Sequence, residues 1–176
     1  INKYNIQSDE FHFPGHTEYL QSSLGNGKEA LMIMASHVLR VAIATGHIPV
    51  SQIASSLDVQ SLYNKIKIFN KSLMTDFRIQ NPRIAVLGLN PHAGDNGLIG
   101  KEDIDIIAEA VKRAQDNRIT CFGPIPADGL FGSSEYLKYH GILAMYHDQG
   151  MIPFKTLSME SGVNYTRPSG YKDFSC

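Results

Sequence analysis

Two histidines stand just past stretches that look like buried strands. His92 follows RIAVLGLN and sits within Asn90-Pro91-His92-Ala93-Gly94-Asp95; His147 follows GILAMY and opens His147-Asp148-Gln149-Gly150. A third histidine, His16, has a glycine before it and Thr17-Glu18 after it, where Thr17 is a helix-capping residue type. Neutral imidazoles are good ligands for a divalent transition metal such as zinc. A metal held that way acts as a Lewis acid on a hydroxyl or carbonyl oxygen. Asp128, past the ITCFGPIP stretch, adds a carboxylate, and the nearby glycines let a ligand approach the backbone closely. The other histidines, His12, His37, His47 and His140, carry no such pattern, and His37 reads as a satisfied core residue on a buried helix.

These side chains act together only if the strands before them end at one edge of one sheet. Residues 83–89, 118–122 and 141–145 read as strands, and 123–129 as a rigid loop of glycines and prolines. Between them lie helical patterns. Residues 29–45 are apolar almost all round and stop at Gly46 and Pro49, which reads as a central buried helix. Ser51 opens a short helix, and apolar residues at 59, 62, 63, 66, 69, 73 and 77 follow a helical period up to Pro82. Residues 101–116 read as an amphipathic helix with Ile104, Ile107, Val111 and Ala114 on one face. Alternating strands and helices define an α/β fold with a mostly parallel sheet. In such a sheet ligands bind beyond the carboxyl ends of the strands, where His92, Asp128 and His147 emerge.

Composition narrows the function. Hydrophobic residues make up 43% and charged residues 19% of 176, as in an ordinary soluble domain. A net charge of −1 argues against nucleic acid or an anionic membrane as partner. Two cysteines are too few for a disulfide framework, which points to a reducing, cytoplasmic setting. No apolar run approaches the roughly 20 residues of a membrane span. The loop 90–100 is neither a Walker loop nor GxGxxG, and no GxSxG occurs.

GHTEYL at 15–20, LNPHAGDNGLIGKEDID at 89–105, GPIPADGLF at 123–131 and LAMYHDQGMIPFK at 143–155 together resemble the 4-hydroxythreonine-4-phosphate dehydrogenase family of pyridoxal phosphate biosynthesis. The resemblance runs from Ile1 to about Thr166 and implies a fold similar to isocitrate and isopropylmalate dehydrogenases. That fold is a two-domain body with the active site in the cleft and at a homodimer interface. It implies oxidation of the C3 hydroxyl of 4-phosphooxy-L-threonine by NAD or NADP, then decarboxylation to 3-amino-2-oxopropyl phosphate. Family metal ligands fall on His16, His92 and His147, for zinc, magnesium or cobalt. Substrate contacts fall on Lys155 and Asn164. Asp128 matches an aspartate near the reacting centre, and Asp148 is a second candidate for base or histidine orientation. The nucleotide-binding residues have no counterpart to assign. Residues 167–176 depart from the family pattern, and Ile1 is not an initiator residue. The expectation is therefore a central α/β portion over 1–166 with a divergent tail over 167–176, truncated at both ends. Two alternatives follow: a paralogue acting on another four-carbon phosphorylated hydroxy acid, and a catalytically inactive metal-binding fragment.

Overall fold

The structure, a computed structural model, describes residues 30–158 and 160–168. His12, His16 and the helix start at 15–26 lie outside the described residues. In chain order the regular elements are β1 (Ala30–Ala35), β2 (Arg40–Thr45), α1 (Val59–Thr75), β3 (Ile84–Leu87), α2 (Glu109–Asp116), β4 (Cys121–Ile125), α3 (Ala127–Gly132), β5 (Gly141–Tyr146), α4 (His147–Ser158) and β6 (Val163–Pro168).

The six strands form one sheet in the order β4-β3-β5-β2-β1-β6. The pairs β3/β4, β3/β5 and β2/β5 are parallel, while β1 runs antiparallel to both β2 and β6. The mostly parallel α/β reading thus holds. Strand side chains alternate between two apolar layers, as pleating requires. Ile84, Val86, Leu143 and Met145 face α1 and α2; Ala85, Leu87, Ile142 and Ala144 face α3 and α4. Burial on both faces explains why these strands read as continuous apolar runs.

The structure corrects the buried helix expected over 29–45. That stretch is a β-hairpin, β1 and β2, with Ser36 and His37 at its turn. Ser36 builds the turn: its Oγ accepts from Val38 and Leu39 N–H, and its own N–H donates to the Leu39 carbonyl at 2.8 Å. Leu31 and Ile33 enter one layer, Val41 and Ile43 the other. A run apolar on both sides fits a central strand as well as a buried helix. His37, expected in the core, is exposed at this turn.

α1 is capped by Asp58, whose carboxylate accepts from Ser61 N–H at 2.9 Å. It buries Leu62, Ile66, Phe69 and Leu73 fully, each worth about 1.5–3 kcal/mol as an upper bound. The helix expected over 101–116 begins as a π-helical segment, Asp103–Ala108, before α2. That changes the phase, so Ile107, Val111 and Ala114 are buried while Ile104 is 47% exposed. β4 starts three residues later than the strand expected at 118–122 and absorbs Gly123, Pro124 and Ile125; Pro126 precedes α3, whose first turn takes the rest of the expected loop. β6 is tied to α1 by an ion pair between Arg167 and Asp76, and Tyr165 packs edge-on against Phe77 at 6.0 Å between ring centres. Among the described residues no helix is long and apolar enough to cross a membrane.

Candidate active site

β3 and β5 are neighbours whose chains leave on opposite faces of the sheet. After β3 the chain reaches α2 in one apolar layer; after β5 it enters α4 in the other. This is a topological switch point, where the two connections diverge and leave a crevice beyond the strand ends. Residues 88–92 and 146–149 form its two walls.

The β3 wall is organised by Asp103. Its carboxylate has no exposed surface and accepts from Leu89 N–H at 2.7 Å, Asn90 N–H at 3.1 Å and Asn90 Nδ2 at 2.9 Å. Gly88 is required here, because a Cβ would lie 2.7 Å from Asp103 Oδ1 and 3.0 Å from Ala93. Beyond this anchor, residues 92–96 all adopt left-handed backbone angles, with His92 at φ 54 and ψ 27. Each non-glycine residue in that region costs roughly 1–2 kcal/mol, less for aspartate and asparagine. The turn is held by Ala93 N–H to the Asn90 carbonyl and Ile99 N–H to the Gly94 carbonyl, at 3.1 and 3.0 Å. It presents His92 exposed at the crevice. Glu102 also accepts from Asn90 Nδ2, at 2.9 Å. Hydrogen bonds from its own backbone N–H and from Asn90 hold this carboxyl below its ordinary value.

On the β5 wall, Thr45 Oγ1 donates to the Met145 carbonyl at 2.7 Å, and Gln149 accepts from Met145 N–H at 2.7 Å. His147 is the first residue of α4. Its Nδ1 lies 2.7 Å from Asp148 Oδ1. With the proton on Nδ1, Asp148 accepts it and Nε2 keeps a free lone pair. His47, from the loop after β2, stands beside it with ring centres 5.7 Å apart.

Three adjoining cavities describe which residues come together. One of about 360 Å³ is bordered by His92, Asp128, Tyr146 and Gln149. A second, about 430 Å³, shares Asp128, Tyr146 and Gln149 and adds Asp148 with apolar Phe131 and Ile152. A third, about 300 Å³, is bordered by His47, His147, Asp148 and Tyr146. His92, Asp128, His147 and Asp148 therefore line one continuous edge, with Tyr146 on all three cavities. Lys155 is exposed further along α4 and borders none of them. Asn164 is exposed near the start of β6, paired with Met34. In register that level corresponds to Val41 and Ile142, toward the opposite edge of the sheet. His140 is occupied elsewhere, its Nδ1 accepting from Arg83 N–H at 3.0 Å. Cys121 is buried and its thiol is pushed up to about 11 by that burial, which leaves it inert as a nucleophile.

Among the described residues no three histidine, cysteine, aspartate or glutamate side chains form a metal cluster. The donor chemistry nonetheless suits a borderline divalent ion: two imidazoles from adjacent strand ends, one with a carboxylate behind it. The third imidazole assigned from sequence, His16, is outside the described residues.

Sequence reasoning missed His47, Asp103, Tyr146 and Gln149. His47 follows Thr45 and Gly46 at the end of β2, much as His147 follows the end of β5, but that pattern is hidden when 29–45 is taken as a helix.

A mostly parallel α/β sheet with histidine- and aspartate-bearing loops at its switch point defines an open-sheet architecture whose crevice suits a small molecule. The family described as "Pyridoxal phosphate biosynthetic protein PdxA" matches residues 1–168. A 4-hydroxythreonine-4-phosphate dehydrogenase of Bacteroides thetaiotaomicron is 55% identical over 166 residues, covering 94% of this chain and 46% of the relative. The crystal structure of a 4-hydroxythreonine-4-phosphate dehydrogenase from Klebsiella pneumoniae superposes with a TM-score of 0.80 at 37% identity, covering 90% of this chain and 47% of that one. A terephthalate 1,2-cis-dihydrodiol dehydrogenase from Burkholderia xenovorans gives a TM-score of 0.73 at 26% identity, covering 94% and 52%. The chain belongs to the PdxA family, and it spans about half the length of the curated relatives it matches.

Proposed function

We propose that this chain forms the sheet-edge half of an NAD(P)-dependent dehydrogenase active site acting on 4-phosphooxy-L-threonine. The supporting observation is the shared crevice of His92 and Asp128 at the switch point, joined through Tyr146 and Gln149 to Asp148 and His147. Family membership supplies the reaction class.

In this reading His16, His92 and His147 hold a divalent ion, zinc, magnesium or cobalt, which when bound supplies Lewis acidity to the substrate hydroxyl. Asp128, exposed in the first turn of α3, takes the C3 hydroxyl proton as the C3 hydride passes to the nicotinamide. The resulting β-keto acid loses carbon dioxide, and protonation of the enolate left behind gives 3-amino-2-oxopropyl phosphate. Asp148 keeps the His147 proton on Nδ1. Lys155 and Asn164 are assigned to substrate by family likeness. Both are exposed and outside the crevice of their own chain, so they serve the substrate of the partner in a homodimer. The enzyme works in the cytoplasm, as one part of a two-domain subunit.

The likeness to a cis-dihydrodiol dehydrogenase favours one further reading: the same oxidation on a different hydroxylated acid, such as another four-carbon phosphorylated one. Steady-state assays of the full-length protein separate the two. Turnover of 4-phosphooxy-L-threonine with NAD or NADP, lost on chelation and reduced roughly 100-fold or more in Asp128→Asn, is expected. Turnover only with a substrate lacking the amino group selects the second reading. Binding of Co²⁺ without turnover of either substrate overturns both and leaves a metal-binding protein.

A further inference from the structure

The cavity of about 430 Å³ between α3 and α4 differs in character from the rest of the crevice. α4 forms one wall through Asp148 and Ile152, and through Gln149, Pro153 and Leu157, each set repeating every fourth residue along one helix face. α3 forms the other through Asp128 and Phe131. Ile152 is 63% and Leu157 41% exposed, so large apolar surface borders the cavity and still meets water. Two carboxylates, Asp128 and Asp148, border it as well, and among the described residues no lysine or arginine does. Such a lining disfavours phosphate and carboxylate groups and favours a cation with apolar faces.

Pro153 adds an acceptor. It lies inside α4 and has no N–H, so the Gln149 carbonyl four residues earlier lacks its usual helical donor. The Gln149 side chain is committed elsewhere: its Nε2 donates to the Gly88 carbonyl and its Oε1 accepts from Met145 N–H, both at 2.7 Å. What this residue offers a ligand is therefore its backbone carbonyl, which suits an amide N–H. Oxidised nicotinamide is a flat ring that carries one positive charge and a primary carboxamide, whereas 4-phosphooxy-L-threonine is rich in anionic groups. The cavity also shares Asp128, Tyr146 and Gln149 with the one that His92 borders, and oxidant and hydroxyl must lie in contact.

We propose that the cavity between α3 and α4 is the nicotinamide subsite, with Phe131, Ile152 and Leu157 packing on the ring, Asp128 and Asp148 beside its charge, and the Gln149 carbonyl accepting from the carboxamide. This rests on the dehydrogenase reading and gives the cofactor contacts that the family motifs leave unassigned.

The test uses the full-length protein and reads binding rather than turnover: NADH and NADPH by their fluorescence, NAD and NADP by competition. Ile152→Arg brings a cation to the cavity from an exposed position and is expected to weaken the dinucleotide roughly tenfold or more, the oxidised form most. Met74→Arg, at a comparably exposed apolar residue of α1 that borders none of the three cavities, is expected to stay within about twofold of wild type. The 3-acetylpyridine analogue of the dinucleotide has a methyl group where the carboxamide has NH₂, and is expected to bind about three- to tenfold more weakly. In Pro153→Ala, which returns a helical N–H to the Gln149 carbonyl, that preference is expected to fall below about twofold, because the two contributions are coupled. Dinucleotide affinity unchanged in Ile152→Arg, or an analogue preference unchanged in Pro153→Ala, overturns the subsite and leaves the dehydrogenase reading standing. Affinity lost in Ile152→Arg together with a fall in oligomeric state on sedimentation overturns it in favour of a subunit interface. A wild-type protein that binds none of the four dinucleotides overturns the dehydrogenase reading and the subsite with it.

Discussion

Removing the Asp103 carboxylate is the sharpest test of how the His92 wall is built. The carboxylate is fully buried and accepts three hydrogen bonds, two from the backbone of Leu89 and Asn90 and one from the Asn90 side chain. A hydrogen bond to a charged group is worth about 1.5–3 kcal/mol. Leu89 and Asn90 are only half-buried, so water recovers part of that loss. Asp103→Ala should therefore cost about 3–5 kcal/mol, at the top of the range for point changes. For a chain of this length that is a fall of roughly 6–20 °C in Tm. Asp103→Asn keeps one acceptor for Leu89 and turns an amide NH₂ toward the two Asn90 donors. Rotation of the Asn90 amide restores one bond, so about 1–2 kcal/mol is expected.

Thermal and urea unfolding of the two variants give these magnitudes, and amide exchange over 88–100 reports the loop directly. The left-handed turn at 92–96 carries its own conformational cost and depends on an anchored start. Exchange in that segment should therefore rise more than in α1, which does not touch the carboxylate. An Asp103→Ala protein melting within about 1 °C of wild type would refute the reasoning, since a buried carboxylate with three donors cannot be lost so cheaply. Equal exchange in the loop and in α1 would refute the anchoring role even if stability fell.

Gly150→Ala should destabilise by about 1–2 kcal/mol in urea unfolding. The new Cβ would meet Ile43 and Val41 methyl carbons at 2.7 Å, and overpacking outweighs the roughly 1 kcal/mol gained from helix propensity. Burial pushes the Asp76 carboxyl up, but hydrogen bonds from Ser72, Arg167 and Thr75 together hold it below its ordinary value. Its stabilising effect is thus complete above the unfolded carboxyl range and disappears as pH falls through the lowered folded value. The stability gap between wild type and Asp76→Asn should be widest near neutral pH and should close below about pH 4. A gap independent of pH would separate Asp76 from the charge of Arg167.

What could be read from sequence divides along a physical line. α1 was legible because its apolar residues follow the helical period between a capping Asp58 and Pro82. β3 and β5 were legible as short apolar runs that stop at polar, glycine-bearing loops. The β1–β2 hairpin was not, because both its faces carry apolar residues, the half-buried Met32 and Met34 included, and the apolar–polar alternation that marks a half-exposed strand is then missing. Its one local signal was Ser36 and His37 in mid-run, residues that suit a turn better than a core. The end of β4 was obscured by Gly123-Pro124, which imitates a loop. Proline is tolerated there because β4 is the edge strand of the described sheet and has one side free of ladder bonds.

The same line runs through the crevice. His92, His147 and Asp128 were legible because their side chains carry distinctive chemistry at strand ends. Asp103 and Gln149 were not, because what they bind is backbone. Gln149 reaches the Gly88 carbonyl 61 residues away, and Asp103 reaches back to Leu89 across 14. No side-chain pattern encodes a partner that every residue possesses; only the folded topology does. A switch point makes such residues necessary. Where adjacent strands leave on opposite faces, the ladder must end, and the last peptide groups need partners that the sheet no longer provides. The crevice that admits a ligand and the backbone groups that must be satisfied around it therefore arise from one cause. Side chains such as Gln149 and Asp103 meet the second demand, and in doing so they set the geometry of the first.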